Sequence, residues 1–170
     1  YTDAQGDYVI LGEIVDTKNR VNITKERIEQ LSALNFNDLP LNDALVEVRG
    51  NGKRKIAYFA DPNCGYCKRF DKSIEGLKDV TIYTFLYPIL APDSLDKSVN
   101  VWCSKDRNKA WHDWMLLGKA PTKADANCVN PIANNQALGQ RLRVTGTPTL
   151  VFADGKRVGG AIPAEQVEQY

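Results

Sequence analysis

Apolar residues run almost unbroken through Ile56-Ala57-Tyr58-Phe59-Ala60 and again through Val80-Thr81-Ile82-Tyr83-Thr84-Phe85-Leu86. Short β-rich runs of this kind predict strands buried on both faces. The segment between them, from Gly65 to Lys78, suits a helix, so the order strand, helix, strand predicts a parallel pair with a right-handed crossover. Upstream, Leu45-Val46-Glu47-Val48 predicts a strand that turns at Gly50-Asn51-Gly52-Lys53 and pairs with Lys55 to Ala60. Downstream, Asp93 to Leu117 and Pro131 to Arg143 are helical in pattern, the first interrupted near Lys105 to Asn108. Thr149 to Phe152 and Arg157 to Gly160 then flank Asp154-Gly155, the strongest hairpin signal in the chain. Pro163 opens a short last helix toward Tyr170.

The first 40 residues read differently. Thr2 to Asp16 alternates around Asp3-Ala4-Gln5-Gly6-Asp7 and predicts a hairpin. Two strands alone are marginal in water, so this hairpin is expected to be the end of a module whose beginning lies outside the chain. Ile28, Leu31 and Leu34 follow at helical spacing, with Asn22 or Thr24 as cap, and predict a linking helix. Asn35 to Pro40 breaks it, and Pro40 marks the expected boundary to the main domain.

At 170 residues, with 43% hydrophobic and 25% charged side chains, the chain has the makeup of a globular protein with one good core. A net charge of +1 and the lack of a long basic run give no electrostatic reason to expect nucleic acid or a membrane surface as partner. No apolar stretch approaches the roughly 18 residues of a spanning helix. The chain opens on Tyr1 with no signal peptide, so export is not readable from an address.

Four cysteines divide into a close pair, Cys64 and Cys67, and a distant pair, Cys103 and Cys128. In an oxidising compartment a bond between Cys103 and Cys128 closes a loop of about 26 residues and contributes roughly 3 to 4 kcal/mol. In cytosol the same two would stay thiols, as in a glutaredoxin-like enzyme. A zinc site built from the cysteines and the single histidine, His112, is disfavoured because structural sites usually show two close ligand pairs. No cofactor is implied.

The chemistry centres on Cys64-Gly65-Tyr66-Cys67, placed between a strand and a helix. A first cysteine that caps a helix gains from unpaired backbone N–H groups and the positive end of the helix dipole, both of which favour thiolate. Cys64 is therefore the candidate nucleophile and Cys67 the thiol that resolves a mixed disulfide. More than 80 residues later, Thr145-Gly146-Thr147-Pro148-Thr149 immediately precedes a strand. A cis bond at Thr147-Pro148 would let the proline ring pack beside the sulfurs while the backbone at Thr147 pairs with an extended substrate.

These two features together match the thioredoxin superfamily. Asp61-Pro62-Asn63-Cys64-Gly65-Tyr66-Cys67-Lys68, Val101 to Ala110, the distal Cys128, and Ala137-Leu138-Gly139 leading into Val144-Thr145-Gly146-Thr147-Pro148 resemble, more narrowly, the DsbC/DsbG family of bacterial periplasmic disulfide isomerases. The resemblance implies an α/β thioredoxin fold over residues 41–170, with a helical insertion at about 92–143 that carries Cys103 and Cys128 as a non-catalytic disulfide. It implies that residues 1–22 are the last hairpin of an N-terminal dimerisation domain and 23–40 its linker helix. It further implies a periplasmic location, disulfide-scrambled or misfolded secreted proteins as substrates, and a DsbD-like membrane reductant. The full-length protein would be a homodimer, and a chain lacking most of the dimerisation domain a monomer.

The dipeptide Gly65-Tyr66 bears on the direction of the chemistry. Strong oxidants of the superfamily place a histidine there, whereas neither side chain here carries charge, so the helix terminus does most of the thiolate stabilisation, with Lys68 and Arg69 as minor contributors. Where other members place a buried acid behind the resolving cysteine, this chain has Tyr58, and Asp61 is expected to be aimed away. This favours reshuffling over installing bonds. The alternatives are a DsbG-like reductase that repairs sulfenic acids, and a binding module or chaperone whose cysteines are incidental. His112, Trp102, Trp111 and Trp114 are expected to be packing residues of the insertion.

Overall fold

The structure is a computed structural model that describes the backbone of residues 1–170 and all side chains except those of Glu29 and Ser32. The chain divides into two compact units, 1–33 and 34–170. In the first, a single antiparallel bridge joins Thr2 to Val9 across the expected turn. Two-residue strands β1 (Val15–Asp16) and β2 (Val21–Asn22) pair beyond it. Helix α1 (Ile23–Ser32) starts at Asn22, whose side chain accepts from Lys25 N at 2.9 Å and so satisfies one of the unpaired N–H groups of the first turn. The Phe36–Asp38 and Leu41–Asp43 segments form short 3-10 turns. Phe36 and Leu39, on the linker side of Pro40, are buried in the core of the second unit.

The second unit is built on a five-stranded sheet in the order β3-β5-β4-β6-β7. Its strands are β3 (Leu45–Arg49), β4 (Arg54–Ala60), β5 (Val80–Leu86), β6 (Thr149–Phe152) and β7 (Arg157–Gly159). Strands β4 and β5 are parallel, with helix α2 (Gly65–Ser73) in the crossover, as the pattern predicts. The last pair, β6 with β7, is the expected hairpin.

One strand pairing differs from the sequence expectation. β3 does not pair with β4; it lies antiparallel to β5, which takes the place between them. The turn at Gly50 to Lys53 explains why, because it is tied to the start of β5 rather than closed on itself. Asn51 N donates to Asp79 Oδ1 at 2.9 Å, Arg54 N donates to Asp79 O at 3.2 Å, and Thr81 Oγ1 donates to Gly52 O at 2.8 Å. Gly50 and Gly52, at φ of 58° and 63°, supply the left-handed backbone this wrap requires. β4 thereby gains a strand on each edge, in keeping with a strand whose Ile56 to Ala60 side chains are all buried.

Helices α3 (Ser94–Trp102), α4 (Arg107–Leu117) and α5 (Ile132–Arg141) follow β5, and a short α6 (Ala164–Val167) closes the chain. Cys103 and Cys128 are joined as a disulfide, with Cα atoms 6.2 Å apart, linking the end of α3 to the segment before α5. One apolar cluster, containing Tyr58, Phe70 and Trp111, fills the space between the sheet and α2 and α4. A second, containing Phe59, Phe85 and Tyr87, covers the opposite face.

Candidate functional site

Strand β4 delivers the dithiol. After Ala60 the chain makes a short loop, Asp61 to Asn63, and Cys64 becomes the N-cap of α2. Cys64 keeps extended backbone angles, φ −77° and ψ 115°, so its sulfur can turn back on the first helical turn, where Cys67 N donates to Cys64 Sγ at 3.2 Å. The loop is held from below by the Asp61 carboxylate. It accepts from Asn63 N at 2.7 Å and Ser94 Oγ at 2.8 Å, and from the amides of Ile89 and Leu90 at 2.7 and 2.9 Å. Asp61 is thus fully occupied in fixing two loops, and it is not the missing acid behind Cys67.

Facing the dithiol is the loop before β6. The Thr147–Pro148 peptide bond is cis, and Cys64 Sγ lies 3.1 Å from Thr147 O, to which it donates in its thiol form. The structure therefore brings Cys64, Cys67, Thr147 and Pro148 together, from positions 83 residues apart in sequence for the Cys64–Thr147 contact. Cys64 is 3% exposed and Cys67 fully buried, whereas Tyr66 is 61% exposed. Beside Tyr66 lies a shallow cavity of about 230 Å³, lined by Tyr66, Arg69, Ser73, Ala161, Ile162 and Pro163. Cys103 and Cys128 lie apart from this site and serve in the disulfide already described.

The two sulfurs are electrostatically unequal. A hydrogen bond from the Cys67 thiol, rather than the helix terminus the sequence points to, does most to bring the Cys64 thiol down to about 6, helped by Thr147 and by the Cys67 and Tyr66 amides, against the opposing effect of burial. Cys67 is pushed far up, first by burial and then by its neighbour Cys64. In the reduced protein, in which both thiols are free, a single proton shared at the N-terminus of α2 leaves Cys64 as the thiolate at neutral pH. Because the thiolate is the reactive form, the rate of Cys64 alkylation by iodoacetamide should rise with pH through about 6 and level off above 7. A midpoint above pH 8 would contradict this ionisation.

Three residues make contacts or hold positions that the sequence pattern did not assign. Trp114, expected to be packing, donates its Nε1 proton to Pro62 O in the loop before Cys64. Lys68 and Lys97 lie over its ring at 4.6 and 4.5 Å from the centroid, and Arg69 lies 5.2 Å from the Tyr66 centroid, so these cations are engaged with aromatic faces. His112 Nε2 is 3.1 Å from Glu47 Oε2, a contact that raises the imidazole pKa; against the opposing effect of burial, His112 and Arg49 together hold Glu47 down to about 2. Asp71, one helical turn after Cys67, is buried on the same side of α2. Its signal was available: Cys67, Phe70, Asp71 and Ile74 share a helical period, and an acid on that apolar stripe is out of place.

A dithiol at the start of a helix that follows a strand, closed by a cis-proline loop, defines a thioredoxin-like thiol–disulfide protein, and residues 41–170 match the family model of the thioredoxin-like domain. Over its whole length the chain is similar to "Probable thiol:disulfide interchange protein DsbC" of Bordetella avium, 48% identical over 169 residues that cover 99% of this chain and 60% of the relative. It is also 31% identical to thiol:disulfide interchange protein DsbC of Escherichia coli K12, over 100% of this chain and 71% of that protein. The chain belongs to the DsbC family of thiol:disulfide interchange proteins. A crystal structure of a disulfide interchange protein from Neisseria gonorrhoeae superimposes with a TM-score of 0.73 at 46% identity, covering 77% of this chain and 94% of that one. The chain spans about 60% of the length of its Bordetella relatives.

Proposed function

We propose that this protein reshuffles wrong disulfides in secreted proteins of the periplasm, with Cys64 as nucleophile and Cys67 as resolving thiol. The observation that carries the reading is the inequality of the two sulfurs. The Cys64 thiolate attacks a substrate disulfide and becomes covalently joined to one substrate sulfur, while the other leaves as a thiolate. The freed substrate thiolate can then attack elsewhere in the substrate and release Cys64. Cys67 competes with that rearrangement only after losing its proton, which burial resists. A resolving thiol that is slow to ionise lengthens the life of the mixed disulfide, and this favours isomerisation over simple reduction. The exposed Tyr66 ring and the shallow cavity beside it offer an open face on which an extended segment can lie. A reductant of the DsbD kind would return the protein to the dithiol after each escape through Cys67.

The test is a Cys67→Ser protein mixed with a scrambled multi-disulfide substrate. Covalent complexes joined through Cys64 should accumulate and disappear on adding dithiothreitol. Their absence, with the variant folded, would overturn the assignment of Cys67 as the resolving thiol.

A further inference from the structure

Behind the dithiol lies a buried carboxyl group that the exchange steps above do not use. Asp71 is 6% exposed, and one of its oxygens, Oδ2, has no hydrogen-bond partner. The other, Oδ1, accepts from the Tyr58 hydroxyl, which in turn accepts from Trp111 Nε1 at 3.3 Å. Trp111 fixes the direction of that hydroxyl proton toward Asp71, leaving Oδ2 as the unoccupied acceptor. A buried, half-satisfied carboxyl group costs stability, so its presence in an apolar cluster calls for a use. Cys67 and Asp71 stand four residues apart in α2, which brings their Cβ atoms to about 6 Å on one helix face. Tyr58 belongs to the same neighbourhood, since negative charge on either Asp71 or Cys67 opposes its ionisation.

We propose that Asp71 accepts the proton of Cys67 in the resolving step, with Tyr58 holding the carboxyl group in place. This rests on the exchange reading given above. The proton leaves Cys67 Sγ for Asp71 Oδ2. The new thiolate forms the Cys67–Cys64 sulfur–sulfur bond, the bond from Cys64 to the substrate sulfur breaks, and its electron pair leaves on that sulfur as a thiolate. The dithiol is thereby oxidised and one substrate disulfide reduced, with no further reagent.

The charge environment sets the working range. Burial raises the Asp71 carboxyl group to about 7, opposed by the Tyr58 hydrogen bond, the positive charge of His112 and the Trp111 indole N–H, with Glu47 adding to the rise. The titratable groups that act on it are Tyr58 from β4, His112 from α4 and Glu47 from β3; Cys67 acts on the same Tyr58, and Arg49 on the same His112. Near neutrality Asp71 therefore passes from a form that cannot take a proton to one that can. Resolution should speed up as pH rises through this range, and the mixed disulfide should last longer below it.

The reduced protein mixed with one equivalent of 5,5′-dithiobis(2-nitrobenzoate) separates the steps by stopped flow, because the first nitrothiobenzoate released reports attack by Cys64 and the second reports attack by Cys67. The second phase should show an inflection near pH 7 that persists in His112→Gln. In Asp71→Asn the first phase should be unchanged, the second roughly a hundredfold slower at pH 7.5, and the inflection gone. An unaltered second phase in Asp71→Asn, or an inflection that vanishes with His112→Gln instead, overturns the proposal. If Asp71→Asn does not fold, Tyr58→Phe decides: loss of the hydroxyl should move the inflection to higher pH, and an unmoved one overturns the proposal. Absence of the first phase in the parent protein would instead overturn the exchange reading itself.

Discussion

Replacing Cys64 with Ser is expected to abolish disulfide exchange, with activity on a scrambled substrate falling by at least about a thousandfold. The alcohol cannot stand in for the sulfur. A serine hydroxyl stays protonated where the Cys64 thiol, held near 6, is already thiolate, and an oxygen cannot form the mixed disulfide on which both isomerisation and reduction depend. The substitution should leave the fold intact, because a serine at the N-cap of α2 still accepts from the Cys67 amide. Loss of activity with an unchanged melting temperature is therefore the expected pair of results. A Cys64→Ser protein that still reshuffled disulfides would place the chemistry elsewhere.

Removing the second cysteine pair should have the opposite profile. A Cys103→Ala/Cys128→Ala protein is expected to lose roughly 3 kcal/mol of stability, the closure entropy of the loop between residues separated by 25 positions. In a domain of this size that lowers the melting temperature by about 6 to 12 °C. The rate of Cys64 alkylation should not change, because the disulfide joins the end of α3 to the segment before α5 and takes no part in the dithiol turn. Equal stability with and without the bond, measured by thermal denaturation, would mean that the unbridged loop is held equally well by its packing.

Local patterns carried most of the fold and the central part of the site. β4 and β5 are legible because their apolar runs are dense, and Cys64 is legible as a cap because it stands where one run stops and a helical pattern begins. Thr147-Pro148 became informative only beside the dithiol, since a proline before a strand is otherwise an ordinary turn. What the pattern could not supply was the choice of partner over distance. The turn at Gly50 to Lys53 reads as a hairpin loop, and only its bonds to Asp79 and Thr81, with that of Arg54 to Asp79, show that it wraps the start of β5. The same holds for the acids near the site. Asp61 is spent on the amides of Ile89 and Leu90, which no local signal announces, and Asp71 becomes meaningful once Tyr58 is seen to hold it. Trp114 likewise reads as packing until its indole is found on the Pro62 carbonyl.

We propose that a thiolate at Cys64, paired with a buried Cys67 that ionises less readily, favours rearrangement of substrate disulfides over their simple reduction. Recovery of native activity from a scrambled multi-disulfide protein, incubated with the reduced protein and then with its Cys67→Ser variant, tests this most directly. Cys67→Ser should retain a substantial share of the initial isomerisation rate, because rearrangement needs only Cys64 to turn over, while its complexes stall with time. Complete loss of recovery in a folded Cys67→Ser protein would contradict it, since every productive cycle would then have to pass through reduction and reoxidation.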